Sequence, residues 1–244
     1  MKIGRNRRQV DFPEQWRKVL GERLRWWPLG DAELQRNLEQ TVIGFLSSKS
    51  FESARGLDLT EDIKVTIAAQ ASLLVLGIGL DEYRDVTTII VYPSTAVRSS
   101  KRRLEGGIES QGPTALSGES MLHGPVMVTW DSALKATRHP ERGHNVVFHE
   151  FAHKLDMADG VTDGVPRLQD REAHRDWMRV MKGALADLRE GRPRYIDSYG
   201  AVGLAELFAV LTEAFFTVPA ELKIQEPEIY ALLSSFYRLD PADW

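Results

Sequence analysis

Apolar residues recur along this chain at two spacings, and the spacing changes where the fold is expected to change. After Asp31, Leu34, Leu38, Val42 and Phe45 fall three or four positions apart. That is the period of a helix with one buried face, and Asp31 is a capping type at its start, so a helix is predicted to about Ser48. Upstream, Pro13 to Leu20 reads as a short helix with Phe12 and Trp16 on one side, interrupted by Trp26-Trp27-Pro28. Thr60-Glu61-Asp62 opens a third helix, because acidic residues favour the positive end of the helix dipole. It carries Ile63 to about Leu76, and Gly77 and Gly79 mark its end. The pattern then becomes β-branched and aromatic. Thr87 to Tyr92 reads as a strand ended by Pro93, and Pro125 to Trp130 as a second strand closed by Asp131. Between them residues 104–124, with Gly106, Gly107, Gly112, Gly118 and Gly124, read as a loop or lid. Helical spacing returns over about Gly143 to Met157, Asp170 to Arg189, Gly203 to Thr217, where Pro219 stops it, and Glu228 to Tyr237. The expected class is α+β, mostly helical around a small central mixed sheet. Residues 1–85 form an N-terminal helical region and 86–244 the region that carries the chemistry. No linker composition separates them, so one compact domain is expected overall.

Composition narrows the chemistry. The 244 residues are 43% hydrophobic and 27% charged, as in an ordinary globular chain. The net charge of −4 is a poor footprint for nucleic acid, so no direct nucleic-acid partner is expected. Lys2, Arg5, Arg7 and Arg8 read as a solvated terminus, and no apolar stretch follows them to make a signal peptide. The longest uncharged run, Val65 to Leu80, is sixteen residues and includes Gln70 and Ser72. It is short for a membrane span and reads as a buried helix. A cytoplasmic protein with no membrane partner is the expectation. There is no cysteine, which excludes disulfides, a thiol nucleophile and thiolate metal sites. A transition-metal site must then use carboxylates and some of six histidines.

One segment has that character. His149-Glu150-x-x-His153 puts two imidazoles one turn apart on one helix face, where both reach one metal. Glu150, next to the first of them, is placed to take a proton from a metal-activated water. Val146, Val147, Phe148, Phe151, Ala152 and Leu155 make the rest of the helix apolar, and burying two imidazoles and a carboxylate there is costly without partners. A third ligand has three candidates. Asp159 lies six residues past His153. Asp156 lies three past it and fits an acceptor that orients an imidazole better than a ligand. The helix Leu204 to Phe216 is apolar apart from Glu206, Thr212 and Glu213, so its carboxylates also need partners. Residue types do not choose between Glu206 and Glu213.

Several stretches together resemble the Mlc titration factor A family of bacterial zinc-dependent peptidases. They are Phe12-Pro13-x-x-Trp16, Phe45-Leu46-x-x-Lys49-x-Phe51, Ile67-Ala68-Ala69-Gln70-Ala71, Gly124-Pro125-Val126 with Thr129-Trp130, His149 to Asp156, and Ala205-Glu206-x-Phe208-Ala209-Val210-Leu211-x-Glu213-x-Phe215-Phe216. The resemblance spans nearly the whole chain, and its catalytic part is also similar to that of anthrax lethal factor. It implies a zincin-like fold with one Zn2+ per chain, held by His149, His153 and Glu206. It further implies Glu150 as general base and Tyr199 as a donor to the developing oxyanion, with Glu213 supporting a ligand or the fold. The activity implied is hydrolysis of peptide bonds in a peptide or protein substrate, by an aminopeptidase or an endopeptidase mode. A transcriptional repressor of the Mlc type is the implied partner. The alternatives are a repressor-sequestering protein with a vestigial zinc site and, less compatible with the acidic balance, a DNA-binding regulator. This chain lacks a cysteine that the family commonly has near Gln70-Ala71-Ser72, and the Trp26-Trp27 region fits the family less closely. The strand Val126 to Trp130, just before the active helix, is expected to hold substrate by strand addition.

Overall fold

The computed structural model describes residues 11–94 and 124–244. The basic terminal cluster, His123 and the glycine-rich segment up to residue 123 lie outside the described residues. Helix α1, Glu14–Arg23, follows Pro13. Helix α2, Ala32–Ser48, starts where the pattern places it, because Asp31 Oδ1 accepts the N–H groups of Glu33 and Leu34 at 2.8 and 2.7 Å. Strand β1, Ser50–Ser53, follows at once. Its four residues bury little, so the periodicity gives no sign of it. Helix α3, Glu61–Leu74, is capped by Thr60 and is buried along almost all of its length. Strand β2, Thr88–Tyr92, buries Ile89 and Val91, and strand β3 is Val126–Thr129.

The strands form one sheet in the order β1-β2-β3, and both pairs are parallel, with Phe51 opposite Ile89 and Val91 opposite Val128. This corrects the expected mixed sheet. Parallel neighbours need a crossover, and α3 supplies it between β1 and β2. Two helices also exceed the expectation. Helix α4, Trp130–Arg138, continues directly from β3, where the pattern shows only a strand end. Helix α8, Pro219–Gln225, begins at the proline expected to be a stop. Proline serves equally well at the first helical position, where its missing N–H has no partner to lose.

The remaining helices among the described residues are α5, Val146–Asp156, α6, Arg171–Arg189, α7, Leu204–Thr217, and α9, Pro227–Tyr237. One buried apolar cluster runs from Phe12 to Leu239. Helix α5 sits inside it, against α7 on one side and α3 on another, beside the end of the sheet. Phe151 meets the rings of Phe45 and Tyr83 at 5.6 and 5.1 Å, and Phe148 meets Phe216 at 5.4 Å. Each such buried ring contributes about 1.5–3 kcal/mol, so these contacts fix the roll of α5 and turn its polar stripe towards α7. No helix among the described residues is long and apolar enough to cross a membrane.

Candidate metal centre

The start of α5 is set by Asn145, whose Oδ1 accepts the N–H groups of Val147 and Phe148 at 3.0 and 3.2 Å. One turn on, His149 and His153 stand with ring centroids 4.8 Å apart and planes at 82°. Their Nε2 atoms are 3.2 Å apart. Glu206, in the first turn of α7, brings Oε2 to 3.1 Å from His149 Nε2 and 3.5 Å from His153 Nε2. Among the described residues, this is the group whose atoms converge closely enough to hold a metal ion.

The triangle has the dimensions of three corners of a tetrahedron. Zinc bonds of about 2.0–2.2 Å place tetrahedral ligand atoms roughly 3.3 Å apart. The surroundings agree with that fit. Glu206 Oε2 is buried and makes no hydrogen bond of normal geometry, although two imidazoles adjoin it. Two imidazole nitrogens and a carboxylate oxygen converge on one point, and their lone pairs repel unless a cation lies between them. On the far side of His149, Nδ1 lies 2.7 Å from Glu213 Oε1. An ionised carboxylate only accepts, so Nδ1 carries the proton and Nε2 is the nitrogen that faces the triangle. Burial alone would favour neutral His149, but Glu206 and Glu213 outweigh it and raise its pKa. Burial alone would likewise raise the Glu206 carboxyl, but the adjoining imidazoles of His149 and His153 lower it. The centre thus favours positive charge at its middle.

Glu150 lies on the rim of the same face, half-buried. Its charge acts to raise the pKa of His149, Lys154 and Tyr199. Burial is the larger influence on Lys154 and lowers it, while its Nζ donates to the Gly124 carbonyl at 2.9 Å. Tyr199 sits on a short 3-10 turn, Ser198–Val202, with its ring centroid 6.1 Å from that of His149. Burial first, then Glu206 and Glu150, raise its hydroxyl pKa. Asp197 fixes this turn by accepting the Tyr199 N–H at 2.7 Å, and its other oxygen lies 3.3 Å from His144 Nε2.

The other candidates for a third ligand have different work. Asp159 is exposed and accepts the Val161 N–H at 3.0 Å. Asp156 is fully buried, and burial pushes its carboxyl up to about 7. Its Oδ1 accepts the Gly164 N–H at 2.8 Å, while Oδ2 has no hydrogen-bond partner. His153 Nδ1 also lacks one, so the expected bond from Asp156 to an imidazole is not made. Glu213 instead orients His149. Sequence reasoning passed over Asn145, whose backbone N–H makes a short hydrogen bond to Glu213 Oε2, and Gln70, which accepts from Asn145 Nδ2 at 2.8 Å. A lone amide inside an apolar helix and a capping residue next to a ligand helix were the signals for both.

The sequence profile of the family described as glucose-regulated metallo-peptidase M90 matches residues 1–238. The chain is 34% identical over 238 residues to an uncharacterised protein of Synechocystis, covering 96% of this chain and 86% of that one. It is 32% identical over 241 residues to Mlc titration factor A of Serratia proteamaculans, covering 96% and 90%. To Mlc titration factor A of Yersinia pestis it is 30% identical over 243 residues, covering 97% and 88%.

Proposed function

Since the chain belongs to the glucose-regulated metallo-peptidase M90 family, we propose that it is a zinc-dependent peptidase whose metal ligands are His149, His153 and Glu206. The observation that carries this reading is the triangle of 3.1, 3.2 and 3.5 Å between their ligand atoms. Zinc bound there would supply Lewis-acid activation of water and of a peptide carbonyl. The chain's own groups do the rest. Glu150 accepts a proton from the attacking water and returns it to the leaving amine, a role that suits a carboxylate on the open rim. The Tyr199 hydroxyl, held neutral by burial and by two nearby carboxylates, donates to the oxygen that gains charge. Glu213 keeps His149 turned towards the ligand position. The substrate is a peptide or protein, with an aminopeptidase mode as the first to test, and the site is cytoplasmic.

Zinc analysis of the purified chain tests the centre. About one zinc per chain, lost in His149→Ala, is the expected result, and a fully folded chain that takes up no zinc would overturn the reading. Glu150→Gln tests the chemistry. Its rate of peptide hydrolysis should fall at least 100-fold, with zinc retained.

The names of the Serratia and Yersinia relatives favour a second role, binding of a transcriptional repressor of the Mlc type. If binding is separate from hydrolysis, Glu150→Gln keeps the partner while losing turnover. A non-catalytic, repressor-sequestering protein would hydrolyse nothing even when fully zinc-loaded.

A further inference from the structure

The His149 side of the centre does not end at Glu213. Behind it lies a run of buried hydrogen bonds that reaches a helix with no member of the metal triad. Glu213 Oε1 faces His149 Nδ1 at 2.7 Å, and Glu213 Oε2 accepts the Asn145 backbone N–H in a short bond. The Asn145 side chain has its orientation imposed. Oδ1 must accept the first free N–H groups of α5, from Val147 and Phe148, so Nδ2 points the other way. There it donates to Gln70 Oε1 at 2.8 Å. Gln70 in turn has no freedom to flip, because its Nε2 donates to the Thr66 carbonyl at 3.0 Å. Gln70 is fully buried and Asn145 nearly so.

Each amide nitrogen in this run has an acceptor, and each amide has only one orientation that gives these bonds. A buried amide that served only α3 would be a poor choice, since an apolar side chain of the same size avoids the cost of burying polar atoms. What Gln70 gains in this position is control of Asn145. Asn145 in turn both starts the ligand helix and holds the carboxylate that orients His149. We propose that Gln70 and Asn145 are positioning residues of the metal centre, fixing the tautomer and ring plane of His149 through Glu213 from helix α3. The inference rests on the reading of His149 as a metal ligand.

The test measures zinc affinity by chelator competition on the full chain in the parent, Gln70→Leu, Glu213→Gln and the double variant. Partners one step behind a ligand typically carry 10–100-fold in metal affinity, so Glu213→Gln should fall in that range and Gln70→Leu near tenfold. Because both act through one route, the double variant should bind no more weakly than Glu213→Gln alone. Ser72→Ala, a buried polar loss on the same helix outside the run, should leave affinity unchanged. In the metal-free chain, proton NMR should show a low-field Nδ1–H signal that disappears in His149→Ala and moves or broadens in Gln70→Leu. If Gln70→Leu does not fold, Asn145→Ser takes its place. It keeps an oxygen at the helix cap but removes the amide donor to Gln70. Fully additive losses, or an unmoved Nδ1–H signal with affinity within about twofold of the parent, would overturn the proposal. Zinc binding that survives in His149→Ala would instead remove the ligand reading itself, so the two failures are distinguishable.

Discussion

His149 and His153 stand one turn apart on α5, yet the fold holds them in different ways. His149 is gripped from behind, with Glu213, Asn145 and Gln70 linking α7, α5 and α3 by buried hydrogen bonds. His153 has a buried Nδ1 with no hydrogen bond, and beside it Asp156 spends one oxygen on the Gly164 N–H. On this second flank the neighbouring elements are short turns and loops, placed by caps and close approaches. The difference teaches how the proposed centre divides its labour. Polar pairing in the core sets the first ligand, whereas packing and backbone contacts set the second ligand and the start of α7, and a separate backbone cap sets Tyr199, whose ring faces His149. Changes on the first flank should therefore be felt in metal affinity, changes on the second in stability, and changes at the Tyr199 turn in turnover.

The sharpest test of that division is Tyr199→Phe. Removing one oxyanion donor typically costs about 100–1000-fold in turnover. The expected variant hydrolyses peptide that much more slowly and keeps the parent's zinc affinity in chelator competition. Equal loss of zinc would show that the Tyr199 turn and the metal ligands are not separable. Next comes Gly164→Ala. Gly164 has φ +78°, and an added Cβ would lie 2.3 Å from the carbonyl carbon of Leu204, two residues before Glu206. Strain at positive φ and the forced shift together should destabilise by about 2–4 kcal/mol. Urea unfolding measures this, and an unchanged midpoint would mean that the loop does not clamp α7. Asp156→Ala follows, since it leaves the buried Gly164 N–H unpaired. It should cost about 1–3 kcal/mol by the same measurement. Asp156→Asn keeps an acceptor and should recover most of that loss.

The same division explains what the sequence could reveal. Most of the described helices were legible because amphipathic spacing and caps are local; α4 and α8 were not. Asp31, Thr60 and Asp170 each stand just before the first helical residue and accept one or two free N–H groups of the first turn. The pair His149 and His153 was legible for the same reason, since i and i+4 share a face in any helix. Glu206 was different. Residue types left it level with Glu213, and only resemblance favoured it. In the structure the two carboxylates sit on opposite sides of one imidazole, an arrangement that depends on how α5 and α7 pack. Strand β1 was invisible because it is four residues long and gains its place only by pairing with β2. The relay through Gln70 was unreadable because its partner Asn145 is 75 residues away. Asp156 misled, since its spacing from His153 suits an imidazole contact, while its carboxylate turns instead to the Gly164 backbone.

The smallest effect tests the cap beneath Tyr199. Asp197 Oδ1 accepts the Tyr199 N–H at 2.7 Å, and Oδ2 lies 3.3 Å from His144 Nε2. These contacts should have unequal weight. A side-chain cap typically contributes about 1 kcal/mol, and it acts directly on the backbone that carries Tyr199. The His144 contact is largely exposed, with side-chain accessibility of 63%, so water competes for it. Asp197→Ala should therefore lower stability by about 1 kcal/mol. It should also slow turnover by loosening the Tyr199 hydroxyl, with zinc affinity unchanged. Asp197→Asn, which keeps the accepting oxygen, should restore both. His144→Gln should shift the unfolding midpoint and the hydrolysis rate little, because the cap survives it. If His144→Gln instead matched Asp197→Ala, the exposed pair rather than the cap would hold the Tyr199 turn. The placement of Tyr199 would then rest on a charge contact at the surface.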